Sequence, residues 1–144
     1  MGHDILKLEN QLCFPLYASA KEVIRMYKPF LDEIGLTYTQ YIAMLVLWEK
    51  GEATVKELGE CLYLDSGTLT PLLKKMETMG LVARTRDTED ERSVIVTPTG
   101  EGMRLREQAL DLPKKIGSCI PLTAQEAQML YGLLYKILKS VSKT

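Results

Sequence analysis

The chain has 144 residues, 46% hydrophobic and 26% charged, the size and balance of one globular domain that can bury a core without disulfides or metal. Its longest unbroken apolar run, Tyr41–Trp48, is far short of the ~20 residues a membrane helix needs, so no membrane partner is expected. With 18 basic and 19 acidic residues the net charge is −1, which excludes a chain coated in positive charge but leaves room for a local nucleic-acid face.

From the N-terminus, Met1-Gly2-His3-Asp4 has no basic stretch followed by an apolar one and is not read as a signal peptide. The expected compartment is therefore the cytosol, where thiols stay free. Residues 5–27 are predicted as one long helix. Ile5, Leu8, Leu12, Leu16, Ala20, Val23 and Tyr27 recur at three- and four-residue steps, with a bend at Pro15 and a break at Pro29 and Gly35. Thr37-Tyr38-Thr39-Gln40 is a capping box opening a buried helix to about Lys50, which Gly51 stops. Thr54-Val55-Lys56-Glu57 opens a short helix to about Leu62 in the same way.

Asp65 or Ser66 caps a fourth helix running to Met79, with Leu69, Leu72, Leu73, Met76 and Met79 as its buried face and Gly80 as its end. Leu81–Arg86 and Arg92–Thr97 read as two strands around the polar tip Asp87–Glu91. Pro98 restarts helix to about Gly117, with a bend at Pro113. Thr123-Ala124-Gln125-Glu126 caps a last helix to about residue 142, with Ala127, Leu130, Leu134, Ile137 and Leu138 on one side. The expected fold is mainly α with a small β-hairpin, in a single domain over 1–144. It is a winged helix–turn–helix at about 37–97, flanked by dimerisation helices at about 5–27 and 98–142. The outer helices have no partner in so small a core, so their apolar stripes are expected to meet a second copy.

The helix over 65–79 separates by face. Ser66, Gly67, Thr68, Thr70, Lys74 and Lys75 are left opposite the apolar side, and small hydroxyls near a helix N-terminus suit base edges and phosphates. A solvated face carries the same residues. The hairpin tips the balance toward DNA, because Arg84, Arg86 and Arg92 flank it and an arginine wing suits the negative potential of a narrow minor groove. Asp90 is expected to brace Arg92, while Asp87, Glu89 and Glu91 work against phosphate binding. The expected duplex is a pseudo-palindrome, with two recognition helices ~34 Å apart.

These residues look like a known family. Leu64-Asp65-Ser66-Gly67-Thr68-Leu69-Thr70-Pro71-Leu72-Leu73-Lys74-Lys75-Met76-Glu77, then Gly80-Leu81-Val82 and Asp90-Glu91-Arg92-Ser93-Val94, resembles the MarR-type transcription regulators. Glu9-Asn10-Gln11-Leu12-Cys13-Phe14-Pro15-Leu16-Tyr17 is similar to their organic-hydroperoxide sensor branch, OhrR. The resemblance covers roughly residues 7–100. It implies a homodimeric repressor of a thiol-dependent peroxidase gene that leaves DNA on oxidation. It implies Cys13 as the peroxide sensor, and Tyr27 and Tyr38 of the partner subunit as holders of its thiolate, with Tyr17 also fitting. Two-cysteine members carry a resolving cysteine in the region of Cys119; one-cysteine members use a small-molecule thiol instead.

The chemistry is independently reasonable. A sensing thiol acts as thiolate, and no basic side chain lies within a turn of Cys13; Lys21 is two turns away. Phenol hydroxyls or a helix N-terminus are the remaining supports. Phe14, Leu16 and Tyr41 would make an apolar pocket suited to alkyl hydroperoxides. Cys61, Trp48, Met44, Met76 and Met79 read as core. The single histidine, His3, leaves triads and histidine metal sites almost nothing to build on, and no cofactor is expected. Two other readings stand beside the sensor. One is a MarR-type repressor released by a small aromatic or anionic ligand, with Cys13 incidental. The other is a thiol peroxidase, which lacks an arginine beside Cys13 and leaves the wing unexplained.

Overall fold

The computed structural model describes residues 3–141. Met1 and Gly2, and residue 142 at the expected end of the last helix, lie outside them. Two 3-10 turns, Asp4–Leu6 and Leu8–Asn10, precede seven helices. These are α1 (Cys13–Asp32), α2 (Tyr38–Lys50), α3 (Val55–Leu62), α4 (Ser66–Thr78), α5 (Gly100–Ala109), α6 (Leu112–Cys119) and α7 (Ala124–Val141). Three short strands, β1 (Ala53–Thr54), β2 (Val82–Arg86) and β3 (Val94–Pro98), form an antiparallel sheet in the order β1-β3-β2. β1 pairs Ala53 with Val96, and the hairpin pairs Arg84 with Val96 and Arg86 with Val94.

The predicted helix over 5–27 is corrected at both ends. The Asn10 side-chain amide donates to the Asp4 carbonyl, and that of Gln11 donates to the carbonyls of Ile5 and Lys7. Side chains thus take the acceptors that a continuing α-helix would use, and the segment winds as 3-10 turns. Helix starts at Cys13 instead, so Pro15 falls in the first turn, where its missing N–H has no intrahelical partner to lose. Pro29 is carried inside α1, and the chain leaves the helix at Gly35, whose φ of 71° favours glycine. The 98–117 helix is likewise two, and Pro98 does not open it: Pro98 ends β3 and the first helix starts at Gly100, capped by Thr99. The chain breaks between α5 and α6, and Pro113 lies in the first turn of α6 rather than at a bend.

The three capping boxes form as the sequence predicts. Thr37 accepts from the Gln40 N–H, Thr54 from the Glu57 N–H and Thr123 from the Glu126 N–H, and each Gln or Glu side chain accepts in return. Asp65, not Ser66, caps α4 by accepting from the Thr68 N–H at 2.8 Å. The turn from α3 to α4 passes through Tyr63 at φ 57°, and a Cβ on Gly59 would stand 2.8 Å from the Leu64 carbonyl oxygen. Only glycine lets the two helices close this tightly.

The core lies where α2, α3, α4 and the sheet converge, with Met44, Leu47, Leu58, Leu69, Leu73, Met76 and Val96 fully buried. Leu31 joins it from α1, and Leu112 and Ile116 from α6. Two residues read as core are corrected: Met79 and Cys61 are both exposed. Met79 lies at the end of α4, one position past the last buried turn, and Cys61 sits on the outer side of α3. Trp48 and Leu72 are half-buried at the core's margin. α7 has no buried residue, and large apolar side chains on it and around the start of α1 are open, Leu12 at 84% and Met129 at 68%. Among the described residues no helix is long and apolar enough to cross a membrane.

Candidate nucleic-acid interface and thiol site

The capped end of α4 presents Ser66, Gly67 and Thr68 to solvent, with Thr70 half-buried beside them and Lys74 and Lys75 exposed further along. The Asp65 carboxyl is held below its ordinary range, first by the Thr68 side chain and then by its backbone N–H. An ionised carboxylate therefore fastens the first turn. A groove opens between α3, α4 and the hairpin, lined by Lys56, Ser66, Thr70, Arg84, Arg92 and Ser93 among others.

The hairpin's charges divide into structural and free. Arg84 shares the inner face of the sheet with Val82, and it points at α4, where its Nε and Nη2 donate to Glu77 Oε1 at 3.3 and 3.2 Å. This ion pair fastens the wing to the recognition helix. Arg86 donates to the Glu91 carbonyl at 2.6 Å and closes the tip. Asp90 does not brace the Arg92 guanidinium as expected; its carboxylate accepts from the Arg92 backbone N–H at 3.1 Å, the local bond an aspartate makes to the backbone two residues on in a turn. Asp87 accepts from the Glu89 N–H at 3.0 Å. Of the acids that weigh against DNA, Asp87 is thus engaged with the backbone of the turn, as is Asp90, and the Arg92 side chain is left exposed.

Cys13 is the first residue of α1 and is exposed. Leu12 before it gives no side-chain cap, so the N–H groups of the first turn remain open to an acceptor. Tyr17, one turn on, is exposed and carries the Lys21 ammonium 5.2 Å from its ring centre. Tyr27 and Tyr38 come together across α1 and α2 with ring centres 4.9 Å apart, edge to face. Tyr41 completes the cluster at 5.9 Å from Tyr27 and 6.4 Å from Tyr38. Burial, then the neighbouring phenols Tyr38 and Tyr41, push the Tyr27 hydroxyl up to about 12. Burial raises Tyr38 as well. Both groups are therefore protonated donors at neutral pH. The tyrosines come together in the structure, while Cys13 lies at the far end of α1 from Tyr27. Cys119, past the helix end expected at about Gly117, is the last residue of α6, and it is exposed. Sequence reasoning gives Tyr41 as a pocket wall; its place as the buried member of a tyrosine cluster is signalled only by its three-residue step before the buried Met44.

A short helix, a tight turn and a solvent-facing second helix backed by a β-hairpin define a winged helix–turn–helix protein. A family model described as "Transcriptional regulator SarA/Rot" matches residues 25–108. The chain belongs to these SarA/Rot-type, MarR-family winged-helix transcription regulators. It is 50% identical to the organic hydroperoxide resistance transcriptional regulator of Bacillus subtilis, over 96% of this chain and 94% of that protein. Its fold matches the reduced form of AbfR, a Staphylococcus epidermidis protein, bound to DNA, with a TM-score of 0.80 at 35% identity, covering 98% and 99% of the two chains. The disulfide-formed structure of AbfR matches at 0.69, also at 35% identity, covering 98% and 96%.

Proposed function

We propose that the chain is a cytosolic, homodimeric repressor that binds a pseudo-palindromic DNA operator and releases it when an organic hydroperoxide oxidises Cys13. Release would derepress a thiol-dependent peroxidase gene. The observation that carries this reading is Cys13 at the open N-terminus of α1, in a chain half identical to a regulator named for organic hydroperoxide resistance. Ser66, Gly67, Thr68 and Thr70 read bases and backbone from the major groove, Lys74 and Lys75 meet phosphates, and Arg92 enters the minor groove. Arg84, Arg86 and Asp90 shape the wing that carries Arg92 there.

In the dimer, Tyr27 and Tyr38 of one subunit donate to the Cys13 thiolate of the other, with Tyr17 beside it. An anion at the first position of α1 also faces the open N–H groups of that turn. The thiolate attacks the terminal peroxide oxygen. An S–O bond forms, the O–O bond breaks, and the departing alkoxide takes a proton to leave as an alcohol. Sulfur loses two electrons, and the peroxide gains them. The sulfenic acid then condenses with a thiol, releasing water. That thiol is Cys119 of the partner subunit or a small-molecule thiol.

The test is DNA binding before and after stoichiometric cumene hydroperoxide. The parent should lose its affinity for a duplex selected from random sequence by the reduced protein. Cys13→Ser should bind that duplex as the parent does and ignore the peroxide. Tyr27→Phe and Tyr38→Phe should both respond more slowly, because each removes a donor to the thiolate. A Cys13→Ser protein that still lets go would turn the reading toward the ligand-released repressor. The cleft lined by Tyr41, Leu45, Trp48, Arg106 and Leu110 would suit that alternative.

A further inference from the structure

One continuous chain of contacts runs from the tyrosine cluster to the root of the wing. Tyr41, only 3% exposed, packs on Tyr27 and Tyr38 with one side of its ring. Trp48, two turns along α2, stands edge-on to it with ring centres 6.5 Å apart. The Trp48 indole N–H donates to the carbonyl oxygen of Gly102 on α5 at 2.9 Å. Gly102 has no slack. A Cβ there would collide with the Leu81 carbonyl oxygen and lie 3.2 Å from Met44 Cε. The Gly102 N–H donates to Thr99 Oγ1, whose hydroxyl donates to the Gly80 carbonyl, and the Thr99 N–H donates to the Leu81 carbonyl. Gly80 and Leu81 join α4 to β2, so both DNA-reading elements hang from the point this chain of contacts reaches.

We propose that Trp48 is a positioning residue for the peroxide response, tying the tyrosine cluster to the α4–β2 junction through Gly102. The proposal rests on the reading of Cys13 as the sensor. Oxidation of Cys13 on the partner subunit changes what the Tyr27 and Tyr38 hydroxyls can donate to. Close-packed rings shift between discrete arrangements instead of deforming smoothly. A shift of Tyr41 moves the Trp48 ring, and its N–H, fixed to a backbone carbonyl, carries the motion into α5. Backbone meets backbone at Gly102 and Leu81, so no flexible side chain absorbs it there.

Trp48→Phe keeps an aromatic ring against Tyr41 and removes the donor with the pyrrole half of the indole. The sensing chemistry should be untouched, with Cys13 consumed by cumene hydroperoxide at the parent rate. The ratio of DNA affinities, reduced over oxidised, should fall from a coupled value of about 5- to 150-fold toward 1. A packing role alone would lower the affinity of both forms and leave that ratio in place. Trp48 is the only tryptophan, so its emission reports directly on the parent protein even if the variant fails to fold. The emission should shift on oxidation, and should not shift in Cys13→Ser. An unchanged affinity ratio in Trp48→Phe, or unchanged emission in the oxidised parent, overturns the proposal. Peroxide release by Cys13→Ser would sink the sensor reading itself. A silent Cys13→Ser beside a fully responsive Trp48→Phe sinks only the relay.

Discussion

A phenol donates a hydrogen bond only while it keeps its proton, and Tyr27 keeps its proton up to about pH 12. Its unfolded counterpart ionises near pH ~10. The folded value is the higher one, so the folded state binds more protons between the two. The stability this group contributes is complete below about pH 10 and is lost as pH rises through 12. Thermal melting of the parent should therefore fall steeply over that alkaline range, and the fall should be smaller in Tyr27→Phe. Equal falls would assign the effect to other groups. Near-ultraviolet tyrosinate absorbance should show one late-titrating phenol fewer in the variant. Individual residues were unevenly legible from sequence. The apolar spacing of α4 marks Leu69, Leu73 and Met76 as core, but it extends to Met79, which the end of the helix leaves outside. Cys61 sits among leucines in the sequence, yet the helical turn aims it away from them. Periodicity reports which face a residue shares, not where the packing stops.

At the scale of elements, local signals carried furthest. A capping box needs only four residues, so all three were legible, and the helices they open start where the sequence says. The 3-10 segment before α1 was not legible, because the side-chain amides of Asn10 and Gln11 compete there with the backbone for carbonyls. β1 was not either; two residues count as a strand only because β3 pairs with them. The cap on α4 bears directly on DNA reading. The Asp65 carboxyl is held below its usual range, so its stabilisation is present above the ordinary carboxyl range and is lost as pH falls through the lower folded value. Asp65→Ala should lower the melting temperature at neutral pH, and its gap from the parent should close in acid. A gap that stays constant with pH would mean the carboxylate is not the cap's working form. On the wing, Arg92→Ala should weaken DNA binding more than Lys56→Ala and should flatten the salt dependence by about one phosphate contact. Equal losses would count against a wing in the minor groove.

The whole molecule makes sense only with a second copy. α7 is 18 residues long with an apolar side and no buried residue, whereas helices in proteins draw most of their stability from packing such a face. The start of α1 exposes Leu12, Phe14 and Leu16 around Cys13 itself. A two-fold dimer built on these surfaces would cover both, and would give Cys13, the sensor in the proposed function, an apolar surround that one chain does not supply. In the proposed function it would also decide where an oxidised Cys13 goes. Cys119 ends α6, which packs against α1 through the core residues Leu112, Ile116 and Leu31. A disulfide needs the two Cα atoms within about 7 Å, so the proposed dimer would have to bring the partner's Cys119 that close to Cys13. Peroxide should then yield a covalent dimer on a non-reducing gel that reductant dissolves. The band should vanish in Cys119→Ser and persist in Cys61→Ser, whose thiol is on α3. Oxidised protein that stays monomeric on that gel, and gains the mass of an added small thiol, would instead hand the resolving step to the cell's thiol pool and leave Cys119 without a part in it.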